Sequence, residues 1–143
     1  MEFEYKILTD YRLILLHYRG KASLDDLFNT IRVVAKDKDF NPNFSILNDL
    51  RDCTLMTDKK SIQKLTDFVK NNSGVYSERK TAMLTDTPGQ VVFSTLLVDL
   101  KNESRVSIKI VSTLESAIMF LTGETDNINY LSGIIEQLRI EGK

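Results

Sequence analysis

The chain opens with a hairpin pattern and then alternates short apolar stretches with segments of helical period, an order that restricts the fold more than any single residue does. Phe3, Tyr5 and Ile7 alternate with Glu4 and Lys6, and Arg12 to Tyr18 is a denser apolar run. With Asp10-Tyr11 between them, the two predict a β-hairpin whose second strand is the more central and stops at Gly20. Ser23 followed three residues later by Asp26 is a variant capping box. Leu24, Leu27, Phe28, Ile31 and Val34 then share one face of a helix reaching to about Lys36.

Three further strand-like runs come after it. Phe44 to Leu50 is a short buried-strand pattern, Lys80 to Asp86 is centred on Ala82-Met83-Leu84, and Val106, Ile108, Ile110 and Val111 form the last. Between the first two, a helix is expected from about Thr57-Asp58 to Asn71. Its Ile62, Leu65, Phe68 and Val69 face inward, Lys59, Lys60, Lys64 and Lys70 form a solvated face, and Asn72-Ser73-Gly74 ends it. Thr87-Pro88 places a capping residue before a proline at the first helical position, and Val91, Val92, Leu96, Leu97 and Leu100 line the next helix. Thr113 caps a short helix closed by Gly123. Asp126 opens a final amphipathic helix over 126–140, striped by Leu131, Ile134, Ile135 and Leu138. Strands alternating with helices after a hairpin predict an α/β fold: a mixed five-stranded sheet, mostly parallel beyond the hairpin, with flanking helices.

At 143 residues the chain is expected to form one domain, 1–143, burying roughly 70% of the surface its unfolded form would expose. With 19 basic and 20 acidic residues there is no overall charge to attract nucleic acid or anionic lipid, and neither partner is expected. Cys53 and His17 are each the only residue of their kind. That excludes an intrachain disulfide, a multi-cysteine zinc site and His-rich metal sites, and fits a reducing, cytoplasmic setting. No apolar run approaches the ~20 residues needed to cross a bilayer. No cofactor or metal is expected.

The order of elements, with Phe44-Ser45-Ile46-Leu47-Asn48-Asp49-Leu50-Arg51 in the middle strand, resembles the SpoIIAA-like, or STAS-type, superfamily from Tyr5 to about Leu121. The Asp-Leu-Arg ending, the lysine-bearing helix after it, the Arg79 to Leu84 strand and the Leu114 to Leu121 segment are similar to an uncharacterised bacterial branch of it. The best-known relatives are anti-sigma-factor antagonists, phosphorylated on a serine at the start of the helix after this strand, and transporter-linked domains that bind partners or nucleotides. The resemblance therefore implies a noncatalytic regulatory or protein-interaction module. The family's phosphoacceptor lies in an Asp-Ser-Ser-Gly type stretch. Here that stretch reads Leu55-Met56-Thr57-Asp58-Lys59-Lys60, which makes Thr57 the nearest hydroxyl and candidate phosphoacceptor.

In an open parallel sheet, ligands gather beyond the carboxyl ends of the strands. Two such ends are polar here: Asp49, Arg51 and Asp52 with Thr54 and Thr57, and Asp86, Thr87, Gly89 and Gln90. One reading is a crevice for a protein partner or a small ligand, in which Arg51 offers a forked cation. The other is that Arg51 pairs with Asp49 or Asp52 and Thr87 merely caps its helix. His17 in the apolar second strand reads as structural, since a histidine base needs a nucleophile or an orienting acid. Cys53 reads as a buried filler. No catalytic residues are assigned. A lipid or nucleotide carrier is the second functional reading, and the final helix could cover its stripe on its own sheet or in a homodimer.

Overall fold

A computed structural model describes residues 1–56, 60, 61, 63, 64, 67, 71, 79–99 and 107–141. The strands are β1 (Glu2–Leu8), β2 (Leu13–Ala22), β3 (Ser45–Leu55), β4 (Lys80–Leu84) and β5 (Ser107–Val111). The helices are α1 (Leu24–Ala35), α2 (Pro88–Asp99), α3 (Leu114–Thr122) and α4 (Ile128–Glu141). The five strands form one sheet in chain order, β1 antiparallel to β2 and each later strand parallel to its predecessor. This is the α/β mixed sheet with an opening hairpin that the sequence predicts. In the segment before β4, residues Lys60, Ser61, Gln63, Lys64, Asp67 and Asn71 are helical; the inward positions expected there, Ile62, Leu65, Phe68 and Val69, lie outside the described residues, as does Thr57.

Strand order explains how the core divides. Stepping always in one direction with right-handed crossovers puts the crossover helices α1 and α2 on the same face of the sheet. On that first face Ile14, Leu16, Tyr18, Ile46, Leu50 and Met83 pack with Val34 of α1 and Phe93 of α2. The opposite face must be covered by the chain beyond β5. There Leu13, Leu15, Leu47, Ala82 and Leu84 pack under Ala117, Ile118 and Leu121 of α3 and Leu131, Ile135 and Leu138 of α4. The inner stripe of α4 is thus buried on its own sheet, with Ile134 half-buried at its rim.

Local signals place most helix ends. Ser23 and Asp26 form a reciprocal capping box, Thr113 accepts from the Ser116 N–H, and Gly123 ends α3 in the left-handed conformation at φ 72°. Two strands run past their expected ends. Gly20, at φ 85°, does not stop β2, because Gly20, Lys21 and Ala22 pair with Cys53, Thr54 and Leu55 of β3. The same pairing carries β3 through its polar tail to Leu55, beyond the end at Leu50 that apolar patterning suggests. At the chain's end, α4 begins at Ile128, two residues after Asp126.

Candidate functional site

Side chains alternate between faces along a strand, so Asp49 and Asp52, three residues apart, should point oppositely. They do not, because β3 carries an irregularity: His17 pairs with Asp49, yet two positions on Arg19 pairs with Asp52. The extra residue in β3 resets the alternation, as a β-bulge does. Asp49, Asp52, His17 and Arg19 consequently share one face of the sheet, where Asp52 and Arg19 reach Arg139 of α4.

The result is a charge network. Asp49, 1% exposed, accepts from Arg51 Nε (2.8 Å), Arg51 Nη2 (2.8 Å) and the Arg51 backbone N–H (3.2 Å). His17, also 1% exposed, donates from Nδ1 to Asp49 Oδ2 at 2.9 Å, and its Nε2 lies 3.0 Å from Asp52 Oδ2, too poorly aligned for a hydrogen bond. Helix α4 supplies further partners, while His17 Nε2, Arg19 Nε and Arg19 Nη1 make no hydrogen bond among the described residues. Arg139 donates to both Asp52 oxygens, from Nε at 2.9 Å and Nη2 at 3.0 Å, while Glu136 receives Arg51 Nη2 at 2.9 Å. Arg19 Nη2 donates to the Arg139 carbonyl at 3.3 Å, tying β2 to the same turn of α4.

Burial alone would raise the Asp49 carboxyl, but the hydrogen bonds from Arg51 and His17 outweigh it and hold the group down at about 2. The Arg139 fork likewise lowers Asp52, and the Asp49 hydrogen bonds raise Arg51. A depressed folded pKa means that the stabilisation from Asp49 is complete above its unfolded value of ~3.9 and is lost as pH falls toward the folded one, a loss on the order of 2 kcal/mol. We expect the urea midpoint to drop between pH 5 and pH 2, and to drop less in Asp49→Asn; equal slopes in the two proteins would show that Asp49 is not the group responsible.

The polar strand ends noted in the sequence come together only in part, where Gln90 reaches the Cys53 carbonyl. Asp49, Arg51 and Asp52 sit under α4 on the second face, and the Arg51 fork is engaged by Asp49 and Glu136 rather than free for a ligand. The stretch from Asp86 to Gln90 turns into α2 on the first face. There Gln90, 2% exposed, completes a capping box: its Oε1 accepts from the Asp86 N–H (2.8 Å) and the Thr87 N–H (3.2 Å), while Thr87 Oγ1 accepts from the Gln90 N–H (3.3 Å). Gln90 Nε2 also donates to the Cys53 carbonyl at 3.0 Å, fastening α2 to the end of β3. Asp86, Thr87, Gly89 and Thr54 are exposed at this rim. Removing the clamp in Gln90→Ala strands two N–H groups and a carbonyl, and should cost about 1–3 kcal/mol in urea unfolding; a change well below that range would mean water replaces all three contacts.

Cys53 is buried against the first-face core, and burial pushes its thiol up to about 11, the opposite of an activated thiolate. His17 gains the orienting acid a catalytic histidine needs, but a second carboxylate lies against its other nitrogen and the ring is buried. Three members of the network, Arg19, Glu136 and Arg139, carry no signal in the sequence beyond being charged residues near apolar ones. No group of His, Cys, Asp and Glu side chains able to hold a metal ion occurs among the described residues, and no described helix is long and apolar enough to cross a membrane. No protein-family model matches the chain, and neither a curated protein nor a solved structure matches it.

Proposed function

We propose that this chain is a noncatalytic regulatory or interaction module of the SpoIIAA-like type, acting in the cytoplasm, and that it meets another protein at the carboxyl ends of its parallel strands. One observation carries the reading: Met56 just beyond β3 and Val91 and Val92 on the first turn of α2 are 58%, 41% and 53% exposed at that end of the sheet. The Gln90 clamp onto Cys53 holds α2 against the end of β3, and the exposed Asp86, Thr87 and Gly89 provide a polar border. An apolar surface with a polar rim is how protein interfaces are built. The engagement of Arg51, His17 and Cys53 in internal contacts supports a binding role over a chemical one.

Native mass spectrometry of the protein isolated from its own cells tests this. Wild type should carry a second protein chain at fixed stoichiometry, and a Val91→Asp, Val92→Asp variant that stays folded should lose it. A partner retained by the variant would refute this surface, and a species of twice the chain mass would identify a homodimer instead.

A small-molecule carrier is the second reading, favoured by a pocket of about 460 Å³ between α4 and β1. Tyr130, Ile134 and Leu138 line it and Gly133 leaves it open. Its size falls within the range of about 300–1,000 Å³ usual for ligand sites. A large thermal shift with a lipid or nucleotide panel would favour this reading over the first.

A further inference from the structure

A different pocket, of about 320 Å³, opens at the amino-terminal end of β2 and β3, across the sheet from the proposed interaction surface and independent of that proposal. Three segments distant in sequence build it: the β1–β2 turn, the approach to β3 and the α3–α4 connection. Its apolar part is Leu121 and Leu131, both buried in the second-face core, and the half-buried Tyr11 packed against it. Residues of both charge signs line the pocket, Arg12 against Asp10 and Glu124, with Asn127 beside them.

These polar side chains are not used by the fold. Those of Asp10, Glu124 and Asn127 make no hydrogen bond or ion pair among the described residues, and Arg12 has only the face of the Phe44 ring, 5.9 Å from its guanidinium carbon. Arg12 is also the one non-glycine at positive φ among the described residues, at φ 55° and ψ 44°. L-residues with a Cβ adopt that conformation at a cost, and glycine or asparagine would suit the backbone better. The backbone is pinned there by its N–H on the Thr9 carbonyl (3.2 Å) and by its own carbonyl, which accepts from the Ser45 N–H (3.0 Å). An arginine is thus fixed at the mouth of a pocket whose other charges are negative.

We infer that this pocket binds a small zwitterion of the class of free aliphatic amino acids. The Arg12 fork takes the carboxylate, Asp10 and Glu124 take the ammonium, and the side chain rests on Leu121 and Leu131. A neutral polyol would leave both signs of charge unanswered, and the volume lies at the small end of ligand pockets.

Calorimetric titration of the full chain tests the inference with three probes: L-leucine, isoamylamine, which lacks the carboxylate, and 4-methylpentanoate, which lacks the ammonium. Leucine should bind, and each fragment should bind at least about tenfold more weakly, as should leucine to Arg12→Ala and to Glu124→Gln. Both substitutions fall at exposed positions, and circular dichroism confirms that each variant is folded. The inference is overturned if no common amino acid binds at millimolar concentration, if either fragment equals leucine, or if leucine binding ignores both substitutions.

Discussion

A chain ended after Gly123 is expected to lose its cooperative fold rather than to become a folded monomer. The deletion removes Leu131, Ile135 and Leu138, which are 1%, 2% and 6% exposed and roof the second face of the sheet over Leu13, Leu15 and Leu47. Burying each such side chain is worth about 1.5–3 kcal/mol, so the three together approach the ~5–15 kcal/mol that separates folded from unfolded states in a domain of this kind. The deletion also takes Glu136 from Arg51 and Arg139 from Asp52. Circular dichroism and a urea titration should show lost secondary structure and no sigmoidal transition. A shortened protein that stays folded and elutes as a monomer would show instead that α4 serves assembly. Leu131→Ala in the full chain is the graded version, with an expected cost of about 2–5 kcal/mol.

Replacing Asp49 by alanine should be the most damaging single substitution in the charge network. It removes the acceptor of two Arg51 side-chain bonds, of the Arg51 backbone N–H and of His17 Nδ1, where Asp49 and His17 are each 1% exposed and Arg51 is half-buried. Breaking a buried pair on one side costs about 3–5 kcal/mol, mostly from the charge left behind. A second variant separates that cost from lost packing. His17→Leu, Asp49→Leu and Arg51→Met together remove the charges while keeping volume, and this triple variant should recover much of the stability lost in Asp49→Ala. Urea unfolding of both checks it. If Asp49→Ala costs less than about 1 kcal/mol, the network reaches water and lacks the stabilising role assigned to it.

The cavity at Arg12 and the surface at Val91 and Val92 lie at opposite ends of the sheet, so a ligand at one and a partner at the other can be studied separately. The cavity was not visible as a site in the sequence, and of the surface only its polar border, Asp86, Thr87 and Gly89, was. Asp10, Asn43, Glu124 and Asn127 look like ordinary loop residues until the β1–β2 turn and the α3–α4 connection meet. Val91 and Val92 read as part of a helix's apolar lining, whereas Phe93 takes the inward position and the two valines face out.

The features legible in the sequence rest on interactions spanning a few residues. The Ser23–Asp26 box, the Thr113 cap, the Gly123 stop and the Thr87–Gln90 start of α2 each join groups three or four positions apart, so residue type and spacing suffice to find them. The alternation of strands and helices likewise settles the α/β class and the opening hairpin, because apolar periodicity is a property of each segment alone. The tertiary structure decided which charges meet. His17 and Asp49 are 32 residues apart and Arg139 and Asp52 are 87 apart, and only the sheet's register brings each pair together. One extra residue in β3 turns Asp52 to the same face as Asp49, while Leu50 and Cys53, also three apart, both pack into the first-face core. A sequence encodes such a network in its register and crossovers, which depend on the packing of the whole core.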